Sequence, residues 1–194
     1  MAERRPQKSF AERHSERAAI DDPSVILDAA ARFLEARSRS VAEVRRRLGR
    51  AGYRPELIDG AITRLTALGM LNDAAFGRAW VESRDRARPR GEIALRRELA
   101  IKGVNRGIID ELLEERRDPS VAAGGGGVDL EAARRLLARH ERSLARVADP
   151  RQRRQRAYAL LARNGFDPET CRAAAAAYVL PETDTPDEAP EDSY

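Results

Sequence analysis

The side chains best suited to chemistry in this sequence are arginines, which recur on one kind of helix in three similar segments. Thirty-four of the 36 basic residues are arginine, and the planar guanidinium makes paired hydrogen bonds to phosphate or carboxylate. On the second predicted helix of each segment, a rotation of about 100° per residue from the apolar stripe turns particular arginines away from the core. These candidate contact residues are Arg46, Arg50, Arg97, Arg156 and Arg163. Such a surface is typical of a protein that follows a polyanion, although an ordinary solvated helix face gives the same pattern.

Patterns typical of catalysis or metal binding are not found in the sequence. It contains no serine, histidine and aspartate constellation with recognisable context and no glycine signature for a nucleotide. His14 and His140 stand far apart and outside any metal-ligand spacing. Cys171, the only cysteine, and Trp80 both fall on apolar helical stripes, which favours core packing over a reactive thiol or a base-stacking platform. We therefore expect no enzymatic activity, no metal and no cofactor.

The elements that must position the arginines are short helices. In residues 72–113, apolar residues recur at helical spacing in three blocks, and Pro89, Gly91 and Gly103 separate the blocks. Each block is too short to be stable alone and must bury its stripe against the other two. Upstream, Asp22 can cap a helix and Ser40 can form a capping box with the glutamate three residues later. The sequence therefore predicts an all-α protein.

The triplet of helices is repeated, as a constant shift in numbering shows. Adding 51 to Val44, Leu48, Gly52, Ile58 and Ile62 gives Leu95, Leu99, Gly103, Ile109 and Leu113. Adding a further 62 gives Ala157, Leu161, Gly165, Cys171 and Ala175. The predicted domains are three-helix repeats at 23–70, 71–116 and 129–180. A flexible N-terminal arm at 1–22, a glycine-rich linker at 117–128 and a disordered acidic tail at 181–194 complete the chain.

Charge is distributed unevenly along the chain. Residues 23–180 carry 31 basic and 21 acidic residues, a net charge of +10, whereas the tail has six acids and no base. The tail could shield a basic surface of the same molecule. No apolar run is long enough to span a bilayer and no signal peptide opens the chain, so a cytoplasmic protein without membrane contact is expected.

Two stretches carry a resemblance to a known family. LNDAAFGRAWVESR, followed by RPRGEIALRRELAIKGV, is similar to the RecX family of bacterial regulators of the RecA recombinase, and SVAEVRRRLGRAGY extends the similarity upstream. The third repeat matches more loosely. The resemblance implies three tandem three-helix repeats in an elongated, curved array. It also implies binding in the groove of the RecA–DNA filament, which restrains strand exchange, ATP hydrolysis and co-protease activity.

Two functional hypotheses follow from the residues and the resemblance. The first is a monomeric regulator that binds the RecA filament and makes weaker, electrostatic contacts with single- and double-stranded DNA. The alternative is a helical-repeat nucleic-acid-binding protein that acts without RecA. Sedimentation with RecA filaments separates the two, because the alternative predicts binding to naked DNA only.

Overall fold

The computed structural model describes residues 9–117 and 127–176, and every regular element in these two ranges is an α-helix. The helices are α1 (Phe10–Ala18), α2 (Pro23–Glu35), α3 (Val41–Ala51), α4 (Pro55–Ala67), α5 (Asp73–Ala87), α6 (Glu92–Lys102), α7 (Arg106–Arg117), α8 (Gly127–Arg139), α9 (Glu141–Ala145), α10 (Pro150–Arg163) and α11 (Pro168–Ala176). The all-α prediction is confirmed. None of the described helices is both long and apolar enough to cross a membrane.

Helices α2, α3 and α4 enclose the first hydrophobic core. The Asp22 carboxylate accepts the Ser24 amide hydrogen bond at 2.8 Å, and Ser40 and Glu43 form the predicted capping box at the start of α3. Both caps satisfy amides that lack a partner in the first turn of a helix. The buried apolar side chains of this core are Ile26, Ala30, Val44, Leu48, Ile58, Ala61, Ile62, Leu65 and Leu71.

Helices α5, α6 and α7 form the second triplet, with its own core. Asn72 caps α5 by accepting the Ala75 amide at 2.9 Å, and Asn105 accepts the Gly107 amide at 2.8 Å at the start of α7. The buried apolar side chains are Phe76, Val81, Leu95, Leu99, Val104, Ile109 and Leu113.

The third triplet, α8, α10 and α11, contains an additional short helix that the sequence analysis did not predict. Helix α9 follows α8 directly, and Leu144 from α9 is buried at 5% exposure. The core is rich in alanine and is therefore built from smaller side chains than the other two. Its buried members are Ala132, Ala133, Leu136, Leu137, Leu144, Ala157, Leu161, Phe166, Cys171, Ala174 and Ala175.

The repeat inferred from the numbering shift is present in the structure. Gly52, Gly103 and Gly165 each follow the second helix of a triplet with φ of 101°, 80° and 80°, a left-handed conformation that costs glycine little because it has no Cβ. The apolar positions aligned by the shift are all buried: Val44, Leu48, Ile58, Ile62, Leu95, Leu99, Ile109, Leu113, Ala157, Leu161, Cys171 and Ala175.

The described residues form two compact units. One comprises 9–84 and 95–117, and the other comprises 85–94 and 127–176. The division falls within α5 and α6. In the second unit, the Gly91 and Ile93 amides donate to the carbonyl oxygens of Asn164 and Gly165, each at 3.1 Å.

Two sequence predictions about connecting segments are corrected. Residues 10–18, assigned to a flexible arm, form helix α1, because Ser9 and Glu12 make a capping box that replaces the missing apolar stripe as a start signal. Of the glycine-rich linker predicted at 117–128, Arg117 ends α7 and Gly127 begins α8, and residues 118–126 lie outside the described residues. The acidic tail at 181–194 lies outside the described residues.

Candidate polyanion interface

Helix α3 presents a continuous face of exposed arginines. Val44 and Leu48 point into the first core with 0% and 2% exposure, so the helical repeat turns Arg46 and Arg50 outwards, one turn apart. Both are exposed, as is Arg47 between them. Arg46 and Arg50 were predicted from the helical rotation, but Arg47, which borders both the outward face and the groove towards α2, was not.

An aromatic ring lies within this arginine face. Phe33 of α2 is half-buried, with the Arg39 guanidinium 4.3 Å and the Arg47 guanidinium 5.8 Å from its centroid. A cation placed over a ring is attracted by the negative face of the π-system. Phe33, Glu43, Arg46, Arg47 and Arg50 line an open depression of about 340 Å³.

Helix α6 meets α3 in the same compact unit, where Arg46 reaches the end of α6. Nη2 of Arg46 lies 3.5 Å from the carbonyl oxygen of Ile101, so its positive charge faces the negative end of the α6 dipole. Arg97 is exposed one turn earlier on α6. The Ile101 side chain itself is 63% exposed, and it thus provides an apolar group beside the arginines, available to a partner. Arg46, Arg50 and Arg97 are therefore carried by two helices in direct contact.

The junction of α3 and α6 is fixed by polar contacts. Ser40 Oγ donates to the Lys102 carbonyl at 2.6 Å, and Lys102 Nζ lies 3.0 Å from Glu43 Oε1. Burial acts to raise the pKa of Glu43, but the hydrogen bond and charge of Lys102 outweigh it, with help from the Ser40 amide and Arg37, and leave the pKa below its usual value. A deprotonated Glu43 is what this junction requires.

A second carboxylate joins α5 to the same place. Asp73 Oδ1 accepts the Val41 amide hydrogen bond at 2.9 Å, which satisfies one free amide in the first turn of α3. Burial raises the pKa of Asp73, although the Val41 hydrogen bond acts to lower it. Gly103, which follows α6, allows a close approach to α3, since a Cβ at this position would lie 2.3 Å from the Ala42 Cβ.

The two remaining predicted contact residues belong to the second compact unit. Arg156 and Arg163 are exposed on α10, two turns apart on one side of the helix. Their side chains make no hydrogen bond or ion pair with any residue in the described ranges. The outward orientation predicted for all five arginines is confirmed, and their contact with a ligand stays a prediction.

Helix α10 carries a second group of arginines that was not predicted from the sequence. Arg151, Arg154 and Tyr158 recur at helical spacing on the side away from Arg156, and together with Gln155 and Arg172 of α11 they line a depression of about 430 Å³. The spacing i, i+3, i+7 was the available signal. It was not predicted because only the arginines that rotate furthest from the buried stripe of α10 were selected.

Trp80 packs against the second core, as predicted, and also makes a polar contact through its indole N–H. Its half-buried ring packs against the second core, while the indole N–H donates to Glu98 at 2.8 Å. Cations approach the ring from Arg84 at 4.4 Å and Lys102 at 4.7 Å. These contacts occupy the ring and favour a structural role over base stacking.

Cys171 is a core residue, as predicted. It is completely buried, and Sγ lies 3.5 Å from the Phe166 carbonyl oxygen. Burial raises the pKa of the Cys171 thiol, and the nearby Asp167 adds to the increase. A protonated thiol without solvent access is a poor nucleophile.

Fold and surface together define a class: an all-α protein of repeated three-helix domains that carries exposed arginine faces on its second helices. Comparison with family models identifies the family. Residues 27–65, 72–113 and 128–174 match the first, second and third three-helix domains of RecX, respectively. The chain belongs to the RecX family, whose members are named regulatory proteins.

Individual relatives match most of the chain. The regulatory protein RecX of Chlorobium phaeobacteroides (strain BS1) is 33% identical over 151 residues, which cover 78% of this chain and 91% of the relative. That of Mycobacterium avium (strain 104) is 31% identical over 135 residues, covering 70% and 73%. The crystal structure of RecX from Lactobacillus salivarius aligns with a TM-score of 0.69 at 19% identity, over 81% of this chain and 97% of that one. The structural likeness supports the three-helix fold.

Proposed function

We propose that this protein binds the RecA–DNA filament and restrains its strand exchange, ATP hydrolysis and co-protease activity. The observation that carries the proposal is the exposed arginine surface of α3 and α6, formed by Arg46, Arg50 and Arg97, in a chain that belongs to a family of regulatory proteins. A filament of protein on DNA offers this surface both phosphates and acidic side chains.

The chemistry of the surface suits such a target. Guanidinium groups bind phosphate and carboxylate in a fork geometry, and each phosphate neutralised on DNA releases condensed counterions. Ile101 adds an exposed apolar group on α6, which suits contact with a protein surface better than contact with a phosphate backbone. A mixed surface of this kind favours a nucleoprotein target over DNA alone.

The alternative is a nucleic-acid-binding protein that acts without RecA. It is favoured by Arg156 and Arg163, which have no partner in the described residues and could contact phosphates in the second compact unit. This alternative predicts binding to naked DNA and no binding to RecA filaments.

Sedimentation of RecA filaments with the protein distinguishes the two functions. The proposal predicts that the wild-type protein pellets with filaments at moderate salt, where binding to naked DNA is weak. The variant R46A/R50A/R97A should pellet poorly, whereas R32A/R64A/R135A, which removes three exposed arginines of α2, α4 and α8, should pellet like the wild type. Binding to naked DNA without binding to filaments would favour the alternative.

The same proposal assigns a binding role without catalysis, metal or cofactor. The proposal also includes that the protein is a monomer and acts in the bacterial cytoplasm, where RecA binds DNA. Binding to single- or double-stranded DNA alone is the weaker, electrostatic part of the interaction and should fall as salt rises.

A further inference from the structure

Helix α1 lies outside the three matched family domains, the first of which begins at residue 27, yet it packs on the candidate interface. Arg17 Nη1 donates to the Ala51 carbonyl at 3.2 Å at the end of α3, and the Arg17 guanidinium lies 5.8 Å from the Tyr53 ring centroid. At Gly52, an added Cβ would lie 2.7 Å from the His14 carbonyl oxygen. The glycine therefore permits the close packing of α1 against α3.

The side chains of α1 are sorted by charge around the helix. Phe10, Arg13 and Arg17 recur at i, i+3 and i+7 and so share one side, which faces α3 in a common cleft. By the same rotation of about 100° per residue, Glu12 turns away from this side and Glu16 lies at its flank, beside Arg13. Helix α1 thus presents basic and aromatic groups to α3.

The cleft between α1 and α3 has arginines on both walls. Its volume is about 250 Å³, and its lining residues are Phe10, Arg13, Arg17, Ala29, Arg47, Leu48, Arg50, Ala51 and Tyr53. Among the described residues, none that lines this cleft is acidic, in contrast to the neighbouring depression that contains Glu43. Four guanidinium groups around one cleft create a local positive potential that selects an anion.

We propose that this cleft binds single-stranded nucleic acid, with the phosphodiester backbone between Arg13, Arg17, Arg47 and Arg50 and a base stacked on Phe10. The cleft is smaller than the roughly 300 Å³ of a pocket that encloses a small molecule. It therefore fits a short stretch of phosphodiester backbone that passes through it. The assignment rests on the proposed function and extends it to a site that includes Arg50.

Phe10 distinguishes a single strand from other anions. Its side chain is 68% exposed in the described structure and belongs to none of the three cores, and its ring centroid lies 6.0 Å from that of His14. Bases of a single strand have free faces that stack on aromatic rings, whereas those of a duplex are already stacked. An acidic peptide would use the arginines and make no contact that requires the Phe10 ring.

The test measures binding of the full-length protein to a fluorescein-labelled oligo-dT and to a duplex of equal length, over a range of salt. The variant R13A/R17A should bind oligo-dT roughly tenfold more weakly, and the steepness of its salt dependence should fall by about 0.7 for each phosphate that is no longer neutralised. The variant F10A should weaken binding to oligo-dT with an unchanged salt dependence and leave duplex binding unaffected. The matched control R32A/R64A removes two exposed arginines of α2 and α4 and should bind like the wild type.

The outcomes separate this site from the proposed function. Wild-type affinity of R13A/R17A and F10A, together with weak binding of R46A/R50A/R97A, would reject the cleft and leave the α3 and α6 surface in place. Wild-type behaviour of all these variants would reject both. Polyglutamate that competes with oligo-dT on the wild type and on F10A with equal strength would indicate an acidic protein ligand and overturn the assignment. Since no residue of α1 is buried, circular dichroism of the variants should show intact helical cores. The single variant R13A keeps the Arg17 contact with the Ala51 carbonyl and should already weaken binding to oligo-dT; wild-type affinity of R13A would overturn the assignment.

Discussion

Lys102 Nζ lies 3.0 Å from the Glu43 carboxylate, and this ion pair ties the end of α6 to the beginning of α3. The Glu43 side chain is only 12% exposed, so solvent screens the pair less than it screens a surface pair. Because Arg46 and Arg50 follow on α3 and Arg97 precedes Lys102 on α6, the pair sets the relative position of the arginines in the candidate interface.

Replacing Glu43 by glutamine should destabilise the protein at neutral pH by roughly 1.5–3 kcal/mol, the range for a hydrogen bond to a charged group. The pKa of Glu43 is lowered in the folded state, so its contribution is present above the unfolded value near 4.5 and is lost as pH falls through the lower, folded value. Denaturant unfolding at several pH values checks this. The wild-type advantage over E43Q should disappear well below pH 4.5, and a difference that stays constant with pH would contradict the ion pair. E35Q, at an exposed glutamate of α2, is the matched control.

Leu99→Ala should cost roughly 2–5 kcal/mol of unfolding free energy, because Leu99 has no exposure to solvent and its removal leaves a cavity in the second core. Ile101→Ala on the same helix is the control. Its side chain is 63% exposed, so the change should stay within about 0.5 kcal/mol. Equal unfolding midpoints for the two variants would place Leu99 outside the core.

Gly103→Ala should destabilise the protein by more than about 1 kcal/mol, since alanine resists a φ of 80° and its Cβ would lie 2.3 Å from that of Ala42. Gly49→Ala on α3 has nothing within 4 Å of the added Cβ and should be neutral or stabilising by up to about 1 kcal/mol. Thermal unfolding of the two variants compares them. A stable G103A protein would show that the close approach of α6 and α3 is dispensable.

The helices and the core residues could be predicted from the sequence, because the apolar residues recur with a helical period and the numbering shift aligns three glycines. Helix α1 could not be predicted in this way, because its start depends on a capping box and its packing depends on Arg17 and Gly52 rather than on a buried stripe. Helical rotation also predicted that Arg46, Arg50 and Arg97 face outwards. Contacts such as Arg46 with the Ile101 carbonyl depend on how α3 meets α6, and a period along one helix carries no information about the neighbouring helix.

The acidic tail gives a prediction that depends on charge alone. Neutralising its six acids, as E182Q/D184N/D187N/E188Q/E191Q/D192N, should strengthen binding to DNA or filament, because the tail opposes the net charge of +10 on residues 23–180. Fluorescence anisotropy with labelled DNA checks this. The gain should shrink as salt screens the charges, and equal affinities at low salt would show that the tail does not compete.

RecA strand exchange, titrated with this protein, tests the central claim most directly. The wild-type protein should slow exchange in proportion to its concentration, and R46A/R50A/R97A should need at least about tenfold more protein for the same effect, since weakening the binding free energy by about 1.4 kcal/mol is already tenfold in affinity. The R32A/R64A/R135A control should act like the wild type. Exchange that proceeds unchanged at saturating wild-type protein, or an equal effect of the wild type and R46A/R50A/R97A, would contradict regulation of the RecA filament through the α3 and α6 surface.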